Sequence, residues 1–143
     1  MTIMDISTFV ELAHRHAHRT WARDSAKIGL SHSEYEYLRA IKDQEAARID
    51  KDDHGQHLAD VVADMGVHKA SASAMVVKLE DRGLVTRIPC QFDARAQHIL
   101  LTDQGRNLLS EGNRLYETAA ARVFAGLSKS DERTISDILH KIG

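Results

Sequence analysis

Hydrophobic and polar positions follow a helical period along most of this chain. Apolar residues recur every three or four positions from Asp5 to about Ala26, which predicts a long amphipathic helix. A second helical pattern begins at Ser31, with Glu34 placed three residues later as its capping-box partner. The polar stretch from Ala47 to Gln56 then predicts a connecting loop.

The middle of the chain changes from helical to strand-like patterns. The pattern predicts a short helix at His57–Asp64, a tight turn at Gly66, a helix at His68–Arg82 and strands at Leu84–Pro89 and Gln97–Leu101. The order helix, turn, helix, strand, loop, strand is that of a winged helix-turn-helix. Such a unit offers one exposed helix to the DNA major groove, with a β-hairpin beside it.

The last third of the chain is helical again. Thr102 is placed to cap a helix that runs to about Ala125, and Ser128 to cap a final helix whose apolar residues share one face. Long amphipathic helices at both ends leave more apolar surface than one small core can cover, which favours a symmetric homodimer. Helices folding back on the same chain would bury part of that surface instead. We therefore expect a mainly α single domain over 1–143, with a winged helix-turn-helix lobe and its short β-hairpin wing at about 31–101, and a helical dimerisation region at about 5–27 and 102–143.

Composition narrows the class of protein. The 143 residues, 43% hydrophobic and 28% charged, are typical of one water-soluble domain. The apolar runs are too short to span a membrane, and the first residues lack a signal-peptide pattern. A single cysteine, Cys90, rules out an intramolecular disulfide. Together these features predict a cytoplasmic protein that does not bind a membrane.

Charge and motifs bear on function. The net charge of −2 argues against nucleic acid, but 65–101 holds five basic residues and three acids, a local net of +2. A glycine-rich phosphate loop, a nucleophile elbow and a zinc-protease motif are all missing from the sequence. We therefore expect no enzyme and no cofactor, and weigh DNA binding against a winged-helix module that binds only proteins.

Three short motifs carry a resemblance to a known family. LEDRGLVTR at 79–87, DAR at 93–95 and LTDQG at 101–105, with these spacings, resemble the MarR family (multiple antibiotic resistance regulators). The resemblance implies a homodimeric winged-helix transcription regulator that binds double-stranded DNA. Members are usually repressors of nearby genes. They are released by a small ligand, often an aromatic acid or phenol, and in some branches by oxidation or metal.

The resemblance also implies which residues contact DNA. His68–Arg82 would be the recognition helix, Arg95 is similar to the wing arginine that enters the minor groove, and Asp93 resembles its acidic partner. The predicted DNA-binding residues are His68, Lys69, Ser71, Ser73, Lys78, Arg87, Asp93 and Arg95. The alternative is an ordinary solvated helix face with a surface Asp93–Arg95 ion pair. Basic residues on both helix and wing favour DNA, because a protein-docking winged helix does not need them.

Other residues suggest ligands. Trp21 and Tyr35 lie where the family binds effectors, so a small aromatic effector is expected near one of them, although aromatic residues are most often core. His14 and His18, at i and i+4, are weak candidates for a metal site and for a metal-responsive repressor. Cys90 is expected to be a bystander thiol.

Overall fold

The computed structural model describes residues 4–48, 57–90 and 97–143. Its elements, in chain order, are α1 (Ile6–Ile28), α2 (His32–Arg48), α3 (Leu58–Met65), α4 (Lys69–Asp81), β1 (Val85–Pro89), β2 (Gln97–Leu101), α5 (Asp103–Val123) and α6 (Lys129–Leu139). The predicted order of helices and strands is confirmed. Several boundaries differ by one or two residues: α2, for example, continues to Arg48, so Ala47 and Arg48 are helical rather than part of the predicted loop. The rest of that loop, 49–56, lies outside the described residues.

The chain divides into two compact units. One comprises Ser25–Asn113, and the other comprises the described residues of Met1–Asp24 together with Arg114–Gly143. The first unit contains the helix-turn-helix, the hairpin and the first half of α5. The second unit contains most of α1, the end of α5 and all of α6.

The core of the first unit forms where α2, α3 and α4 meet the hairpin. Leu38 and Ile41 of α2, Val61 of α3 and Leu79 of α4 are all at 0% exposure. Burying a side chain of this size stabilises the fold by about 1.5–3 kcal/mol. The antiparallel strands β1 and β2 complete this core with a register that pairs Val85 with Leu101.

The turn of the helix-turn-helix depends on Gly66. Its φ of +63° lies in the left-handed region, which residues with a side chain rarely adopt. In this conformation its N–H donates to the carbonyl of Val62 at 2.9 Å and closes the last turn of α3. The chain then reverses within three residues into α4.

The second unit is held by aromatic contacts. Phe9 stacks on Phe124 with ring centroids 5.9 Å apart, and Trp21 meets the edge of Tyr116 at 6.0 Å. Ser128 accepts a hydrogen bond from the N–H of Asp131 and starts α6, as predicted. None of the helices in the described ranges is both long and apolar enough to cross a membrane.

Candidate nucleic-acid interface

Helix α4, the predicted recognition helix, packs one face against the core and presents the other to solvent. Ala72, Val76 and Leu79 are buried against the core. Ser71 and Ala74 on the other face are exposed, and Ser73 is half-buried. Because the exposed side chains of Ala70, Ser71 and Ala74 are short, the helix backbone can come close to another surface at these positions. Helix α4 therefore has a buried face and a mostly exposed face, and the contacts of Ser71 and Ser73 with DNA stay predictions.

The N-terminus of α4 is suited to an anion. His68 is the N-cap residue and Lys69 the first helical residue, and both are exposed. The first turn contains no acidic residue. The partial positive charge of the helix end is therefore not compensated within that turn, and with Lys69 it favours contact with a phosphate.

Two of the predicted cations lie beside acids. The ammonium of Lys78 is 3.9 Å from Glu34 Oε2, although the Lys78 side chain remains 59% exposed. The guanidinium of Arg87 is 3.5 Å from Glu80 Oε2, and only 27% of this side chain is exposed. Lys78 and Arg87 thus have less free charge to offer DNA than Lys69 at the start of the helix.

A buried carboxylate that anchors α4 was missed in part by the sequence reasoning. Glu34 caps α2 as predicted, accepting from the N–H of Ser31 at 3.0 Å, but it also accepts from Arg82 Nη1 at 2.5 Å. Burial raises the pKa of Glu34, and the hydrogen bonds from Ser31 and Arg82 overcome that effect and lower it. Arg82 also donates to the carbonyl of Gly29. One ion pair therefore ties the C-terminal end of α4 to the start of α2.

The wing is described only in its strands. Asp93 and Arg95, the predicted wing residues, lie outside the described residues, between Cys90 and Gln97. The strands on either side pair from Val85 with Leu101 to Pro89 with Gln97, so the hairpin itself is confirmed. The contacts of Asp93 and Arg95 with DNA remain predictions.

The two aromatic residues predicted near an effector are both buried, one in each unit. Trp21 is 3% exposed and lies against Tyr116. Tyr35 is 8% exposed, and its hydroxyl donates to Asn113 Oδ1 at 2.7 Å. Burial raises the pKa of the Tyr35 hydroxyl.

An open apolar groove runs between α1 and α5 within the second unit. Its volume is about 400 Å³. Rings line it at Phe9, Tyr116 and Phe124, and His14 contributes a polar group to its wall. Tyr116 is thus shared between the groove and the contact with Trp21.

Metal-ligating residues are arranged differently from the sequence prediction. The rings of His14 and His18 stack with centroids 6.3 Å apart. Within the described ranges, however, no third ligand residue joins this pair; the one group of three comprises His57, Cys90 and His98. The sequence shows each of these residues but gives no sign that they meet.

The comparisons with known proteins agree with this geometry. The MarR family profile matches residues 30–96, from just before α2 into the wing. The winged-helix part of the chain therefore matches the MarR family. The resemblance read from the three motifs is therefore confirmed, and so is the fold class, a mainly helical winged helix-turn-helix.

Solved structures of MarR-family proteins share the fold across nearly the whole chain. CouR from Rhodococcus jostii, bound to p-coumaroyl-CoA, is 25% identical with a TM-score of 0.66, covering 96% of this chain and 91% of its own. A Mycobacterium tuberculosis MarR family protein in complex with salicylic acid is 22% identical with a TM-score of 0.69, covering 99% and 98%. A mutant of Escherichia coli MarR complexed with operator DNA is 15% identical with a TM-score of 0.66, covering 96% and 92%.

Proposed function

We propose that this MarR-family transcription regulator is a ligand-responsive repressor that binds a palindromic operator as a homodimer. The observation that carries this proposal is the structure of α4. One face of this helix is buried in the core, and the other exposes short side chains near the N-terminus. Its first turn holds Lys69 and no acidic residue. The E. coli relative solved on operator DNA supports the same use of the fold. A fluorescence-anisotropy titration with DNA from upstream of the protein's own gene tests it. Binding no tighter than to scrambled DNA would contradict the proposal.

Phosphate contacts at α4 and the wing should appear in the salt dependence of binding. Lys69→Ala and Arg95→Ala should each lower the slope of log affinity against log salt by about one unit, because each removes one cation that displaces counterions. Lys78→Ala should have a smaller effect, since Glu34 already lies 3.9 Å from that ammonium. Lys42→Ala, an exposed lysine on α2, is the control. Unchanged slopes in both test variants would exclude this face as the contact.

A homodimer is proposed because α6 leaves its apolar face uncovered. The helix has no buried residue: Ile138 and Leu139 are 53% and 50% exposed, and Ile142, just beyond the end of the helix, is 69% exposed. An apolar stripe of this kind on a capped helix is typical of an interface. In the family-like arrangement, two copies of α4 would lie about 34 Å apart, one DNA turn, which requires a palindromic site.

Ile138→Asp should disrupt this dimer. Burying an isoleucine contributes about 2 kcal/mol, and a symmetric interface buries it twice, so the dimer dissociation constant should rise about 100-fold or more. Light scattering should give the wild type twice the 16.0 kDa chain mass and shift the variant towards a single chain. Ser130→Asp, at an exposed position on the polar side of the same helix, should stay dimeric. A monomeric wild type at micromolar concentration would contradict the proposal.

A small aromatic acid is proposed as the effector, and the groove between α1 and α5 as its site. The aromatic walls suit a planar ring, and relatives have been solved with salicylic acid and with p-coumaroyl-CoA. An effector weakens DNA binding only if it binds more tightly to a dimer whose two α4 helices are not one DNA turn apart. The loss of DNA affinity cannot exceed this difference in effector affinity. The predicted effector site near Trp21 or Tyr35 is therefore moved to the groove. Trp21 contacts Tyr116, which lines the groove, so the fluorescence of Trp21 should change when an effector binds there.

Salicylate and related phenolic acids should change the fluorescence of Trp21, the single tryptophan, and weaken operator binding over the same concentration range. Tyr116→Ala should remove the fluorescence response, because it deletes the ring between the groove and Trp21. Tyr37→Phe, in the other unit, is the control. If a broad panel of phenolic acids alters neither signal, a constitutive repressor becomes the better account.

The alternative function is a winged helix that binds only proteins. The basic start of α4 favours DNA over this alternative, as argued from the sequence. A repressor role also implies the predicted cytoplasmic location, because operator DNA is found there. A protein-binding module would show no operator preference in the anisotropy titration.

A further inference from the structure

We propose that His57, Cys90 and His98 form a binding site for a zinc ion in the winged-helix unit. One ligand atom from each residue lies within 4.8 Å of the other two. His98 and Cys90 are 4% and 5% exposed, and His57 is half-buried. The proposal goes beyond DNA binding and does not depend on it, because metal binding is measured directly.

Each ligand is carried by a different structural element. His57 is the N-cap of α3, where its backbone N–H donates to Asp60 Oδ2 at 3.0 Å. Cys90 follows the last residue of β1, and His98 lies in β2, paired with Ile88. The backbone positions of the donors are thus set by a helix cap and a strand register, and only side-chain rotation remains to be fixed by the metal.

The donor set selects the class of metal. Two imidazoles and one thiolate suit zinc and other soft or borderline transition metals, whereas calcium and magnesium require oxygen ligands that this group lacks. In a tetrahedral zinc site with bonds of about 2.0–2.3 Å, neighbouring ligand atoms lie roughly 3.3–3.8 Å apart. Closing the present separations to these values takes movements of about 1 Å at side-chain ends. Three protein ligands leave the fourth position for water or another ligand.

The competing interpretation is a packed polar core. The rings of His57 and His98 meet edge to face, with centroids 4.7 Å apart and an angle of 77°. Such a pair over a thiol would be a structural contact without a ligand. The two interpretations differ in one respect: only a metal site brings the sulfur and both imidazoles into simultaneous bonding with an added cation.

Cobalt(II) provides a direct test on the full-length chain, treated first with chelator and reductant. Cys90 is the single cysteine, so a thiolate-to-cobalt charge-transfer band reports this residue alone. We expect the band to saturate at one cobalt per chain, and zinc to displace the cobalt. Cys90→Ser should abolish the band. His57→Ala and His98→Ala should each weaken cobalt affinity at least about 10-fold.

The control is a variant with both His14→Ala and His18→Ala. These residues form the metal candidate predicted from the sequence, and their loss should leave the cobalt spectrum unchanged. Absence of the band in the wild type, or cobalt affinity that depends on His14 and His18 and not on His98, would overturn the proposal. Should a variant fail to fold, alkylation of Cys90 in the wild type decides the matter, since zinc should slow alkylation at least about 10-fold if the thiolate is a ligand.

One consequence rests on the proposed function. The site would join both strands of the hairpin to the start of α3, and α3 packs on α4. Zinc would then fix the wing relative to the recognition helix, and the operator affinity of the wild type should differ between zinc and chelator while that of Cys90→Ser does not. An operator affinity that is the same with zinc and with chelator would overturn this coupling. The metal site itself would still be decided by the cobalt titration.

Discussion

Ser71→Glu should reduce operator affinity about 100-fold or more while leaving the fold intact. Ser71 is exposed near the start of α4, on the face opposite the buried Ala72 and Val76. A carboxylate there removes a short hydroxyl that can reach base edges and places a negative charge against the phosphates. Like-charge contacts of this kind cost several kcal/mol, and each 1.4 kcal/mol is tenfold in affinity.

Ser110→Glu is the matched control for this experiment. Ser110 is exposed on α5 in the same unit, so the variant has the same net charge and the same chemical change. Anisotropy titrations should show its affinity within a few-fold of wild type. Equal losses in both variants would mean that net charge, and not the α4 face, governs binding. Unfolding curves of all three proteins should coincide.

Gly105→Ala should destabilise the protein by about 3 kcal/mol or more, because its backbone packs directly on a carbonyl. A Cβ at this position would lie 2.0 Å from the Leu84 oxygen. That oxygen also accepts from the N–H of Thr102 at 3.1 Å, and Thr102 Oγ1 donates to the Gly83 carbonyl at 2.6 Å. The start of α5 must therefore move away from the α4–β1 junction and lose both hydrogen bonds.

Thermal unfolding measures this effect against a second glycine. Gly126→Ala adds a methyl group where nothing lies within 4 Å, and it should leave the melting temperature nearly unchanged. Gly105→Ala should lower the melting temperature by roughly 10 °C for a chain of this size. Equal melting temperatures for the two variants would show that α5 starts elsewhere. The close approach also explains why the LTDQG motif ends in glycine.

Local patterns in the sequence were sufficient to predict the helices and strands. The period of apolar residues and the caps at Ser31, Thr102 and Ser128 depend on neighbours within a few positions. They can therefore be recognised without knowing the tertiary structure. Helix α4, predicted at His68–Arg82, was placed to within one residue at each end for the same reason. The contacts of Asp93 and Arg95 stay predictions, since those residues lie outside the described ranges.

Contacts between distant positions could not be read in this way. Glu34 was identifiable as a cap, but its ion pair with Arg82 joins residues 48 positions apart. The meeting of His57, Cys90 and His98 likewise depends on how α3 packs against the hairpin. Periodicity says which face of an element is buried, not which side chain of another element it will meet.

The sequence by itself therefore determined the helices, the hairpin and the resemblance to the MarR family, because each rests on short-range spacing or on motifs within the chain. The tertiary structure decided three further things: which cations at α4 keep a free charge, where the apolar groove lies, and which residues can share a metal ion. Each of these depends on distances between elements. Those distances are set by the packing of all core side chains against one another, and the sequence pattern of a single element does not specify them.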